Sequence, residues 1–588
     1  MKSRYPPEQF GGYFLLFTNL LSGKVKNAYT KYLEKRTGRL KQKVQWQNME
    51  LALVLAAVLV LNGGFFDYSV AFCGALICLL LFVRMIKKRE FYKRDKRKVF
   101  LIPIFLVAIG MIVSLWSVDK VENLFGVLRL IVICLWMRLV HNSTHAETNI
   151  AKKSIPVLGI MMMLVSAVAY FIPDIKPAFW ENERLAGFFQ YANTCALFLA
   201  VGMIVLLTEQ SGKKVRTYIQ IGILLAGVLL TGSRSILLLG ILWGCYYAII
   251  NKKFRKPFFV TGGLLAVLGF LLFLCTGSTD NITRIFSVFQ SNSTMWGRIL
   301  YDRDALLYLV KKFYGLGRMG YYYSQGLFQS GVYHVRFVHN DFLQIALDYG
   351  IVAFVFVMIF LIWQFIYGKQ ERKEKEILLF MCVEATVDFH FQYLAVWMIA
   401  MLFMDYGTSE RENKKELRED YVILPVCVCL FLYIGAAAGF AKAGKTEIAL
   451  SMLPDYSYAQ EKAMKSQMGT ETSYYLAQSL IQKNPYHISA HVVSGMVHAS
   501  YLQVEETIED FDYVIKLDPY NVTYYQQYDA LLENMEQQLA VSGDVQESSD
   551  AIELIEMRRE KLTGELEDMK KRTSRLAYKI KDVPQFTY

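Results

Sequence analysis

The chain has 588 residues, of which 54% are apolar and only 20% charged, and it carries a formal net charge of +12. A soluble domain holds about 45–50% apolar and about 25% charged residues, so this balance excludes an ordinary soluble enzyme and points to a polytopic membrane protein. The basic excess calls for no nucleic acid, because Lys and Arg are retained on cytoplasmic loops. All the cysteines lie in apolar runs, which implies neither a disulfide framework nor a metal site.

Residues 1–48 form a basic segment. Within it Phe10–Leu21 is too short to span, since a crossing needs about twenty residues. It reads as an interfacial helix beside the cations running from Lys24 to Lys43, with a spanning helix as the other reading. The membrane domain, 49–441, holds about 12 to 13 predicted spans: 49–65, 66–86, 99–118, 122–140, 153–173, 188–208, 217–232, 234–250, 257–275, 341–367, 377–389, 391–406 and 421–441. The short pair 377–389 and 391–406 has the form of a helical hairpin. With the N-terminus inside, the Lys/Arg-rich loops at 87–98, 152–153, 213–216, 252–256, 369–375 and 414–418 all become cytoplasmic. The opposite face then collects the large loop 276–340 together with Arg184, Arg234, Arg298, Arg303, Arg336, His339, Asp388 and His390.

From 442 to 588 the chain reads as a soluble, extracytoplasmic helical domain. Asn484-Pro485-Tyr486 and Asp518-Pro519-Tyr520 lie 34 residues apart, the period of tetratricopeptide repeats. An ordinary helical domain with two Pro-Tyr turns is the alternative. The fold class expected overall is all-α: a polytopic helical bundle followed by a soluble helical repeat domain.

Chemistry-bearing residues cluster on the outward loops. Asp341 with Gln344 three residues on has the spacing of a capping box, which would start a helix at Asp341 and leave His339 just outside its N-terminus. The helix dipole there disfavours imidazolium, while Asp341 favours it. A neutral His339 could take a proton from a hydroxyl, or could merely satisfy backbone groups. Arg298 suits phosphate oxygens, or a salt bridge with Asp302 or Asp304. Arg234, in the turn Gly232-Ser233-Arg234-Ser235, sits where positive charge is disfavoured, so it reads as a substrate cation or a lipid-headgroup ligand. Gln190 and Asn193 suit sugar hydroxyls or capping, and Asp388 and His390 sit at the hairpin tip. Arg129, Asp348 and Glu384 lie one or two turns deeper, and intramembrane charges face a cavity or each other.

The order of these elements resembles the O-antigen ligase family, which is grouped with the O-antigen polymerases. The resemblance rests on Arg184 to Asn193, the Gly-Ser-Arg-Ser turn, Gly297-Arg298, the run Gly315-Leu316-Gly317 to Gly320, and His339-Asn340-Asp341-Phe342-Leu343-Gln344 followed by Tyr349-Gly350. It implies a C-type glycosyltransferase architecture. It further implies en bloc transfer of a glycan from a polyprenyl-diphosphate carrier to a cell-envelope acceptor (glycan, lipid or protein), with no cofactor and no catalytic metal. In that frame His339 is the base and Arg184, Arg234 and Arg298 hold the diphosphate. Gln190, Asn193, Asn340, Asp341, Asp388, His390 and Arg129 are candidates for the substrate cleft, and Tyr321–Tyr333 falls where acceptor recognition is expected. The family is one of bacterial cytoplasmic membranes. The alternatives are a repeat-unit polymerase, a lipid-linked glycan transporter, and a non-catalytic assembly scaffold whose repeat domain binds a protein partner.

Overall fold

A computed structural model describes residues 48–88, 101–208, 214–252, 293–406, 420–542 and 547–587, with parts of 255–267. The segment Phe10–Leu21 and most of the span expected at 257–275 lie outside the described residues. The described chain is all-α apart from a two-stranded ribbon.

The bundle consists of α1 (Glu50–Val60), α2 (Asp67–Lys88), α3 (Leu101–Val113), α4 (Lys120–His141), α5 (His145–Tyr170), α6 (Ala192–Thr208), α7 (Lys214–Thr231) and α8 (Arg234–Ile250). After the large loop, which carries α9 (Ser293–Lys311) and α10 (Gly320–Ser324), come α11 (Asp341–Ile366), α12 (Arg372–Glu384), α13 (Leu394–Leu402) and α14 (Asp420–Lys442). Of these, α2, α4, α5, α11 and α14 are long and apolar enough to cross a bilayer, and α1, α3, α6, α7 and α8 are shorter apolar helices. The short α12 and α13 form the expected hairpin, with residues 385–393 as its tip.

Local chemistry sets the helix ends. The Asp119 side chain accepts from the Val121 and Glu122 amides at 2.9 and 3.0 Å, starting α4. Thr144 and Glu147 form a capping box that starts α5. The start of α11 differs from the expected capping box. Its cap is Asn340, whose side chain accepts from the Leu343 amide at 3.1 Å, and Asp341 is already the first helical residue. Gln344 instead takes the Val338 amide at 2.9 Å and donates to Asp348 at 2.8 Å. The pattern misled because any of three consecutive polar residues has the chemistry to cap.

Charged residues gather at both ends of the bundle. At one end Arg84 bridges Glu50 (2.5 Å) and Glu147 (3.2 Å), Lys152 meets Glu374 (2.5 Å), and Arg138 pairs with Asp420. At the other end the large loop folds down onto the helices. The Leu316 and Gly317 amides donate to the Leu347 and Asp348 carbonyls at 2.7 and 2.9 Å. Arg318, buried, bridges Asp67 (2.9 Å) and Glu122 (3.2 Å), tying the loop to α2 and α4.

The helices after α14 are α15 (Thr446–Met452), α16 (Ser457–Ser466), α17 (Glu471–Lys483), α18 (Ile488–Ser500), α19 (Val504–Leu517), α20 (Val522–Ser542) and α21 (Glu547–Arg572). Successive helices pack on one another. The chain then returns to the loop. The Ser574 amide donates to the Ser330 carbonyl at 2.9 Å, and Arg572 donates to the Gly326 carbonyl at 2.8 Å. Ala577 and Ile580 join Leu300 and Tyr333 in one apolar cluster.

Candidate functional site

The site lies where α6, α9, the start of α11 and the α12–α13 tip meet. Its centre is Asp388, which is fully buried. The Asp388 carboxylate receives Arg298 Nη2 at 3.0 Å, Asn193 Nδ2 at 2.6 Å and the Tyr191 hydroxyl at 2.9 Å. Burial pushes the Asp388 carboxyl up, but Arg298, His390 and His339 outweigh it and hold it at about 2. It stays a carboxylate at any working pH and fixes Arg298, which reaches it from α9 rather than pairing with Asp302 or Asp304. Asp304 is taken up by Ser330 and Tyr333.

Arg184 extends the network. It stands on a ribbon formed by β1 (Trp180–Glu181) and β2 (Arg184–Leu185). Its Nη2 donates to Asn193 Oδ1 at 2.7 Å and its Nε to the Thr231 carbonyl at 2.7 Å. Thr231 ends α7, and the turn through Gly232, with φ of 60°, sets Arg234 as the first residue of α8. Asn193 and Arg298, far apart in sequence, are thus joined through Asp388, with Arg184 linked to it by way of Asn193 and Arg234 on the adjoining turn.

His339 packs between aromatic rings, 5.2 Å from Phe389 and 5.7 Å from Tyr301. Burial lowers its imidazole from 6.5 to about 4, opposed by Asp388 and assisted by Arg298. The charge that favours its protonation is therefore Asp388, not Asp341. Several polar atoms here are buried without a hydrogen-bond partner, among them His339 Nδ1, Arg298 Nε, Asp341 Oδ1 and His390 Nε2. A native interior leaves few such groups, and each calls for an explanation.

The remaining predicted residues divide. Gln190 is exposed, in a left-handed conformation at the end of a 3₁₀ turn. Asn340 caps α11. The Asp341 carboxylate is buried and accepts from the Phe391 amide at 2.8 Å, bracing the hairpin tip. His390 is also buried, with Nδ1 3.0 Å from Thr194 Oγ1 and Nε2 3.6 Å from Glu384. Both support the tip from beneath. Arg129 is apart from the cluster: it donates to the Phe65 carbonyl at 2.6 Å and to the Gln392 carbonyl, and with Arg318 and Asp348 it lines a cavity of ≈ 60 Å³.

Tyr321 and Tyr333, expected near acceptor recognition, are buried in the loop's own core, and only Tyr322 and Tyr323 between them are half-exposed. Sequence reasoning missed Tyr191. Its stacking on Phe389 (4.6 Å) and bond to Asp388 are long-range, and no local spacing signals them. An apolar groove lies beside the site. It is lined by Leu130, Ile345, Phe360 and Trp397, starts at Asp341, and reaches Met137 and Met404 deep in the bundle. Among the described residues, no group of three His, Cys, Asp or Glu side chains is arranged to hold a metal ion.

The family model described as O-Antigen ligase matches residues 220–358, which include Arg234, Arg298, His339, Asn340 and Asp341. The match supports the O-antigen ligase family for this stretch; Arg184, Asn193, Asp388 and the C-terminal helices lie outside it. None of the curated proteins matches the chain, and no solved structure does.

Proposed function

We propose that the chain is an integral-membrane glycosyltransferase of the O-antigen ligase type, moving a glycan en bloc from a polyprenyl-diphosphate carrier to a hydroxyl of a cell-envelope acceptor. The observation that carries this is that His339 Nδ1 and Arg298 Nε, both in the field of the Asp388 carboxylate, are buried without a hydrogen-bond partner. One accepts a proton and the other donates a hydrogen bond to an anion.

In this reading the polyprenyl tail follows the apolar groove from Asp341 into the bundle. The diphosphate rests against Arg298, Arg184 and Arg234. Its arrival places negative charge beside His339 and raises the basicity of a ring that burial had lowered. The imidazole takes the acceptor's hydroxyl proton as that oxygen attacks the anomeric carbon. The bond from that carbon to the diphosphate oxygen breaks, the electron pair leaves with the diphosphate, and the fixed guanidiniums stabilise the added charge. The anomeric configuration inverts. The site face lies outside the bacterial cytoplasmic membrane, and the basic loops lie inside.

The test incubates the purified protein with polyprenyl-diphosphate glycan and candidate acceptors. Wild type yields glycosylated acceptor, and His339→Ala, folded equally well, yields none. Undiminished turnover by His339→Ala would remove the base. Addition of one glycan per acceptor distinguishes a ligase from a polymerase, which gives a ladder of lengths.

A further inference from the structure

Two exposed cations on the same face take no part in the network around Asp388. Arg336, three residues before His339, lies over the rings of Phe65 (5.4 Å) and Phe337 (5.6 Å). Lys442, the last residue of α14, lies over Phe66 at 4.0 Å. Neither has a carboxylate at ion-pair distance among the described residues, whereas the neighbouring Arg318 has two.

These cations are connected to the proposed base by a continuous series of rings. His339 meets Phe389 at 5.2 Å, Phe389 meets Phe337 at 5.7 Å, Phe337 meets Phe65 at 6.1 Å, and Phe65 meets Phe66 at 5.3 Å. Phe65, Phe66 and Phe389 are half-buried, and the buried Phe337 joins them through its ring contacts. Tyr322 from the loop and Tyr458 from α16, both half-exposed, feel the charge of the same Arg336 guanidinium. Aromatic faces pack against the C–H faces of sugar rings, and a guanidinium stacked on its ring keeps its N–H edge free for an oxyanion.

We infer that this strip is a glycan subsite running away from His339, in which Arg336 and Lys442 bind an anionic group (phosphate or carboxylate) on the acceptor saccharide. The inference rests on the transfer reading for the direction of the acceptor, because the strip begins at the ring that takes the acceptor's proton. It excludes the diphosphate from the strip, since Arg298 and Arg184 are fixed on the Asp388 side. Glu122 lies within the field of Arg336 but is paired with Arg318, and Arg336 and Lys442 repel each other, a repulsion that an anion bound between them relieves.

The experiment uses the full chain in phosphatidylcholine nanodiscs and calorimetric binding of two probes, tetragalacturonate and neutral maltotetraose. Wild type is expected to bind tetragalacturonate with an affinity that falls as salt rises, and to bind maltotetraose at least about tenfold more weakly. The combined variant Arg336→Ala, Lys442→Ala loses about tenfold or more for the acidic probe and nothing for the neutral one. The charge-retaining pair Arg336→Lys, Lys442→Arg recovers binding and controls for folding. Equal binding by wild type and the alanine pair overturns the proposal. So does loss of the acidic probe when phosphatidylglycerol replaces phosphatidylcholine, since the cations are then headgroup ligands. His339→Ala separates this site from the transfer chemistry. Its transfer activity is read apart from probe binding, and full activity in that variant removes the base while the Arg336 and Lys442 pair alone decides the glycan strip.

Discussion

His339 and Asp388 are both shifted downward, for opposite reasons, and each shift has a pH consequence. The His339 imidazole is lowered from 6.5 to about 4 chiefly by burial. As pH falls through 6.5 the unfolded chain takes up a proton that the folded one refuses until about 4, so stability declines across that window. Asp388, depressed from 3.8 to about 2, contributes stability that is complete above 3.8 and is lost only as pH falls from there towards 2. Between 4 and 6.5 only the histidine acts. In kinetics, the acid limb of kcat/KM, which reports the free enzyme, is expected near pH 4 rather than 6.5. The limb of kcat moves higher, because the bound diphosphate favours imidazolium; a pH–rate series on the two parameters checks both. Asp388→Asn strands the Arg298 guanidinium and is expected to cost about 3 kcal/mol of stability, measured by thermal unfolding. Adding Arg298→Met recovers much of that stability and none of the activity. The sequence singled out His339 and the arginines of the outward loops as candidates, each with a structural alternative beside it. The role of Asp388 as the hub was not legible, since its partners Asn193 and Arg298 come from 195 and 90 residues away.

Among the elements, the glycine run explains how the loop is held. Gly315 and Gly317 have φ of 91° and 80°, and a Cβ on Gly317 would lie 2.4 Å from the Ser117 Cβ. Gly350 has φ of 86° and breaks α11 so that the Gly315 backbone can approach it. Gly317→Ala is expected to cost about 1–3 kcal/mol through the strained φ alone, and the overlap adds to it. The measurement is loss of melting temperature together with loss of transfer, since the same run sets Arg318 against Asp67 and Glu122. The sequence marked these glycines as landmarks of a polar loop but not what they meet: Gly315 meets the backbone at Gly350, and Gly317 meets the side chains of Ser117 and Asn123. The hydropathy pattern located the helices well because lipid-facing and core-facing residues are both apolar. The start of α11 at Asp341 was placed correctly but its cap was not, because capping depends on a side-chain torsion that spacing does not encode.

At the scale of the molecule, the C-terminal helices bind the loop as well as follow the bundle. Gly326 packs so closely on Leu517 that a Cβ there would fall 1.7 Å from its carbonyl oxygen, and Ala577 is buried against Gly331 and Leu300. Leu300 and Trp296 belong to α9, the helix that carries Arg298, and Lys579 lies over the Trp296 ring at 4.3 Å. Ala577→Arg, or removal of residues 573–588, is therefore expected to loosen α9. Transfer activity then falls several-fold while the bundle stays folded, as size-exclusion elution and activity on the same preparation would show. The near-regular spacing of Pro-Tyr turns suggested a repeat domain, but nothing in its sequence said that its last turn would dock beside the site, because that contact joins residues more than two hundred positions apart.

The docking of residues 574–580 on α9 also imposes an order of maturation. The ribosome finishes the bundle and its loop long before it reaches Ala577, so a nascent chain carries Arg298 on an unbraced helix. The brace arrives only with residues 574–580. A chain cut short before them would be inserted with α9 loose and its transfer several-fold weaker.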